Sequence, residues 1–98
     1  GSLGHGLGIG IGMAIANPDK TVYVIVSDGS MMEGSNWEAL RILSSLKLKN
    51  IEIHCNFNGY TAVALSHPTD IMKRMKTFNV PLFFYTRLAV PYAARFLE

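Results

Sequence analysis

The 98-residue chain has a single cysteine, a single tryptophan and few charges. A lone Cys55 excludes an internal disulfide. The fold must then be held by core burial, a partner or a ligand, and a reducing, cytoplasmic setting is expected. Charged residues make up 16% of the chain and hydrophobic ones 49%. That charge content lies below the roughly 25% of average soluble domains, which argues against disorder and against a nucleic-acid-binding tail. The net charge of +2 singles out no partner. No membrane span is expected either, because the longest uncharged apolar stretch, Leu7 to Asn17, falls short of the roughly 20 residues a spanning helix needs. Gly1 rather than Met opens the chain and nothing basic precedes the apolar run, so no signal peptide is expected. One small domain, residues 1–98, is the expected organisation, with no repeat or linker, as a piece of some larger design.

What is present has the rhythm of an α/β unit. Gly4, Gly8, Gly12 and Ala16 recur at every fourth position beside Leu3, Leu7, Ile11 and Ile15. That spacing predicts a helix over about 3–16 with a bare stripe that lets another backbone approach. Asn17-Pro18-Asp19 breaks it, and the β-branched and aromatic run Thr21 to Val26 follows, as in a strand buried on both faces of a parallel sheet. Ser27 to Ser30 forms a polar turn, and Glu33 to Leu46 resumes helical spacing through Trp37, Leu40, Ile42, Leu43 and Leu46. A second strand is expected over Asn50 to Cys55, then a turn-rich loop from Asn56 to Gly59. A third helix is expected from Pro68 through Phe78, with Asp70 in its first turn, and a third strand over Val80 to Tyr85. Strands alternating with helices predict a parallel sheet with flanking helices.

Ligands of such sheets bind beyond the carboxyl ends of the strands. The first strand ends at Asp28 and the second at Asn56 and Asn58. Neighbouring strands would bring the Asp28 carboxylate and the Asn58 amide oxygen within reach of one hard cation, a seat for magnesium completed by a diphosphate, with Gly29 allowing backbone to approach the phosphate. Taken singly, Asp28-Gly29 and Asn58-Gly59 are ordinary turn dipeptides. The amino-terminal glycines lack G-x-G-x-x-G spacing and no strand precedes them, so the Rossmann fingerprint fails. They leave a loop of backbone amides running into a helix amino terminus, suited to an anion, while tight helix packing accounts for Gly8 and Gly12. His54 and Cys55, adjacent on a strand, point to opposite faces and cannot act jointly.

Gly1-Ser-Leu-Gly-His-Gly6, Ser27-Asp-Gly29, Met32-Glu-Gly34 with Trp37-Glu-Ala39, and Asn56-Phe-Asn58 together resemble the amino-terminal, thiamine-diphosphate-binding domain of the transketolase family. The resemblance runs over residues 1–62 and implies a partial thiamine-diphosphate-binding fold. Glu33 and the stretch Leu46 to Asn50 look more like transketolase than like deoxyxylulose-phosphate synthase, and pyruvate dehydrogenase-type subunits fit less well. Carried over, Asp28, the Asn58 side chain and the Tyr60 carbonyl would hold Mg²⁺, Gly29 would contact the diphosphate, and Gly1 and Leu3 would lie against the cofactor. Glu33, the catalytic candidate, and Glu38 would join an acidic network at a dimer interface, although both also suit a solvated helix face. His5 stands where many members have Gln or His. Ser27 replaces a usual glycine, and Asn56-Phe57 replaces the usual polar pair before Asn58.

The implied activity is transfer of a two-carbon ketol unit between sugar phosphates. The pyrimidine-binding half of the site would come from a second chain or domain, in a homo- or hetero-oligomer with neither nucleic acid nor membrane, so this chain alone would be inactive. The alternatives are a non-catalytic α/β remnant acting in assembly, and part of a synthase-like enzyme.

Overall fold

The computed structural model describes residues 2–57 and 68–86. Helix α1 (Gly6–Ala16) leads into β1 (Val22–Ser27), a 3-10 turn (Ser30–Met32), α2 (Gly34–Leu46), β2 (Ile51–Phe57), α3 (Pro68–Lys76) and β3 (Leu82–Thr86). The strands form one parallel sheet in the order β1-β2-β3. Val22 faces Ile51 and Ser27 faces Asn56 across the first pair; Ile53 faces Leu82 and Phe57 faces Thr86 across the second. The expected parallel α/β architecture is therefore present.

Alternation along the strands sorts the sheet into a dry face and an open one. Val24, Val26, Ile51, Ile53, Cys55 and Phe57 are buried in one cluster with Leu7, Ile11 and Ala14 of α1, Ala39, Leu40 and Leu43 of α2, and Ile71 and Met75 of α3. On the other face Tyr23 is 65% and Ile25 80% exposed. The expectation that β1 is buried on both faces is corrected: the described helices share one side, and a continuous apolar run does not reveal which of its faces is covered.

Helix α1 buries Leu7, Gly10, Ile11 and Ala14. The expected glycine stripe is not its packing face, since a Cβ at Gly8 or Gly12 would meet nothing within 4 Å. Gly10 makes the close approach instead: a Cβ there would lie 2.3 Å from Val24 Cγ2. At 3.6 residues per turn a four-residue spacing overshoots by about 40° per step, so the row through Leu7 and Ile11 spirals off the core by Ile15. Both Leu3 and Ile15 are exposed. The helix starts at Gly6 rather than residue 3, because Gly4 has φ +87°, outside helical space.

Other boundaries also shift for local reasons. Glu33 is extended (φ −87°, ψ 127°), so α2 begins at Gly34. Strand β2 continues through Phe57, which is buried and packs edge-on against Phe84, so Asn56 and Phe57 belong to the strand and not to a loop. Helix α3 ends at Lys76, before Phe78, in a turn closed by Asn79 N–H donating to Lys76 O with Asn79 at φ 57°.

The amide of Asn50 ties the base of the fold together. Its Nδ2 donates to the carbonyls of Ala14 (2.9 Å), Asn17 (3.0 Å) and Lys20 (3.0 Å), holding the end of α1 and the turn into β1. Among the described residues no helix is long and apolar enough to cross a membrane.

Replacing Gly10 with Ala should cost about 1–3 kcal/mol, because Val24 is β-branched and stiff and cannot yield to the new methyl. Asn50→Ala should cost about 1 kcal/mol by removing the donor to the buried end of α1, while Asn17 O keeps the Lys20 N–H. Urea unfolding checks both, and a Gly10→Ala variant as stable as the parent would refute the close approach.

Candidate functional site

The chain turns as soon as β1 leaves the sheet. Ser27 N–H donates to Ser30 Oγ (2.9 Å), Ser30 N–H donates back to Ser27 Oγ (3.1 Å), and Ser30 Oγ–H donates to Ser27 O (2.9 Å). This reciprocal clamp closes over Asp28 and Gly29. Asp28 is fully buried, and its Oδ1 accepts the Gly29 N–H at 3.1 Å. Ser27, a departure from the family pattern, is thus half of the lock that shapes the turn.

Two side chains of α2 hold the segment that follows. Asn36 Nδ2 donates to Ser30 O and Trp37 Nε1 to Met31 O, each at 2.7 Å. Met31 is buried beneath them. Ser35 Oγ–H reaches back to Gly4 O at 2.9 Å, binding the amino-terminal loop to the start of α2. A Cβ at Gly4 would lie 2.8 Å from Glu33 Cβ and 2.9 Å from Ser35 Oγ.

Topology brings the expected pieces to one rim. Because α1 returns directly into β1, its amino end lies on the side where β1 ends, so Gly4, Glu33, Asp28 and Gly29 gather there. Leu3 is 57% exposed and His5 is also exposed. Gly1, Asn58 and Tyr60 lie outside the described residues. Among the described residues no cluster of three or more His, Cys, Asp or Glu could hold a metal, so Asp28 stands as one hard oxygen donor.

The two glutamates differ in setting. Glu33 is exposed and caps α2 from an extended conformation without a side-chain cap bond, instead of sitting in the first helical turn. Glu38 lies on the exposed face of α2 and pairs with Arg41. Hydrogen bonding to Arg41 holds its carboxyl below the usual range and lifts the guanidinium in return. Such an exposed pair adds little stability.

His54 and Cys55 do point to opposite faces. His54 Nδ1 meets Tyr85 OH at 2.8 Å and Nε2 meets Glu52 Oε1 at 3.1 Å, and the ring stacks on Phe83 with centroids 4.8 Å apart. Cys55 is fully buried, and loss of hydration pushes its thiol up to about 12, which removes it as a nucleophile. Asn36 is not singled out by any motif in the sequence. Its signal was phase: residues 36, 39, 40 and 43 share the buried face of α2.

Residues 1–79 match the family model described as thiamine pyrophosphate enzyme, C-terminal TPP binding domain. The amino-terminal placement expected from the sequence is corrected by that description. Among curated relatives, a transketolase from Pongo abelii is 41% identical over 88 residues, 81% of this chain and 14% of that protein. One of the apulose-4-phosphate transketolase subunits of Actinobacillus succinogenes is 44% identical over 57 residues, 54% of this chain and 21% of its own length. A 1-deoxy-D-xylulose-5-phosphate synthase from Fusobacterium nucleatum is 47% identical over 58 residues, 59% of this chain and 10% of that protein. The chain therefore spans about a fifth or less of the length of these relatives.

Gly4→Ala should destabilise the fold by about 1–3 kcal/mol, since it forces a side chain into left-handed backbone and against Glu33 and Ser35. Thermal unfolding without ligand tests this, and an unchanged midpoint would contradict the geometry of the loop.

Proposed function

The chain belongs to the thiamine pyrophosphate enzymes, in the C-terminal TPP-binding family, and from that premise we propose that it is the cofactor-binding part of a transketolase-like enzyme. Its reaction would be transfer of a two-carbon ketol unit between sugar phosphates, in a reducing cytoplasmic setting suited to the lone Cys55. One observation carries this reading: a fully buried carboxylate, Asp28, sits in a locked turn at the carboxyl end of a parallel strand, beside a glycine. Burying a carboxylate is costly unless charge or hydrogen bonds meet it, and a divalent cation there would add to what the turn supplies. The donor chemistry fits magnesium, which takes carboxylate and carbonyl oxygens and keeps places for phosphate.

In this reading Asp28, the Asn58 side chain and the Tyr60 carbonyl hold the metal on the diphosphate. Gly29 lets backbone approach it, and Gly1 and Leu3 flank the cofactor. Bound thiamine diphosphate supplies the electron sink for breaking a carbon–carbon bond. This chain's residues bind and orient. Glu33, exposed beside the Gly4 loop, is accessible to a partner carrying the pyrimidine-binding half, where it would share in an acidic network; this chain alone completes no turnover. The match to a transketolase extends over 81% of the chain, against 59% for the synthase, which supports the transketolase-like reading.

A second reading, a non-catalytic module acting in assembly, draws on the open sheet face, where Ile25 is 80% exposed. Oligomers that form regardless of magnesium and thiamine diphosphate would favour it.

Magnesium and thiamine diphosphate together should raise the melting midpoint of the chain, by about 2.7 kcal/mol of stability at a hundredfold excess over Kd. Asp28→Asn, which keeps the side chain's shape, should abolish the shift, as should omission of either ligand. A full shift in Asp28→Asn would defeat the assignment.

A further inference from the structure

We propose that Asn36 and Trp37 form a two-point brace that positions the Asp28–Gly29 turn for its ligand, an inference that rests on reading that turn as the magnesium–diphosphate seat. These consecutive residues of α2 donate to consecutive carbonyls, Ser30 and Met31, both at 2.7 Å. Ser30 is also the residue whose hydroxyl and amide lock onto Ser27 across Asp28 and Gly29. A continuous chain of hydrogen bonds thus runs from α2 through Ser30 to Ser27, the residue before the carboxylate. The helix is a firm base, because Ala39, Leu40 and Leu43 are buried in the core and the Trp37 ring packs against Phe78 at 6.1 Å.

Packing alone does not account for Asn36. The Ser30 carbonyl already accepts the Glu33 N–H at 3.1 Å, so the backbone is satisfied without the amide. Asn36 is 1% exposed, and its Oδ1 has no hydrogen-bond partner among the described residues. A buried amide with half of its capacity unused is a poor choice for stability, where an apolar side chain of like volume would serve. Side chains that fix the geometry of a ligand-holding group commonly accept such a cost. Asn36 and Trp37 are positioning residues; neither is assigned a contact with the ligand.

Trp37 is the sole tryptophan, so its indole N–H resonance reports on the brace directly. The experiment titrates the full chain with thiamine diphosphate at saturating Mg²⁺, following that resonance and the heat of binding. Asn36→Leu should melt close to the parent without ligand, show a displaced indole resonance, and bind about 10–100-fold more weakly. Asn50→Ala removes the amide that ties the base of the fold, at the opposite end of the strands from the turn, and serves as the control. It should lower the midpoint and leave affinity unchanged. Trp37→Phe, which keeps a ring and deletes the donor, should weaken binding measured by calorimetry and guards against an Asn36 variant that fails to fold. Parent-like affinity in both Asn36→Leu and Trp37→Phe would overturn the brace while leaving the functional reading intact. So would affinity losses in those two variants no larger than the control shows for a like loss of stability. A parent chain with no response to the ligands would overturn the functional reading and the brace with it.

Discussion

Helix α1 lies so close on β1 that a Val24 methyl fills the space where a side chain of residue 10 would begin. Most of the molecule follows from that contact. It seats Leu7, Ile11 and Ala14 over the inward face of the sheet, where they meet α2 and α3 in one core. It also fixes where α1 lies along β1, and therefore where the Gly4 loop sits against Glu33 and Ser35. The end of α1 is held at the base by Asn50 and its start at the rim by Ser35, so the helix is pinned at both ends. Core and site share one constraint, and a shift of α1 along β1 would disturb both.

The legible parts of the fold were those decided by local pattern. Periodicity placed α2, a β-branched run placed β1, and strand–helix alternation gave a parallel sheet. The missed parts depend on contacts between distant segments. Only the packed structure distinguishes Gly10 from Gly8 and Gly12, since all three sit between large apolar residues. An unbroken apolar run such as Val22 to Val26 is compatible with one covered face or two, and Ile25 ended on the open one. Asp28 and Gly29 were legible as a site because a strand end and a turn dipeptide coincide there. Asn36 was not, because a polar residue near a helix start reads as ordinary solvated sequence until its neighbours are known.

Two departures from the family pattern acquire a physical meaning. Ser27 adds a hydroxyl that completes a reciprocal clamp with Ser30, so the turn is closed by side chains where a glycine would leave it to backbone alone. Phe57 extends β2 and packs against Phe84, trading polar contacts at the strand end for another core ring. Both changes fall at the carboxyl ends of strands β1 and β2, where the proposed ligand would bind.

Cys55 gives the central strand a built-in clock. Its thiol is sealed in the core with its ionisation pushed up to about 12, and the 98-residue chain has no other cysteine. An alkylating reagent can therefore capture it only while β2 is exposed, and the speed of capture counts how often the sheet comes apart. Any molecule that truly belongs on this fold, whether cofactor, metal or partner chain, would have to slow that clock.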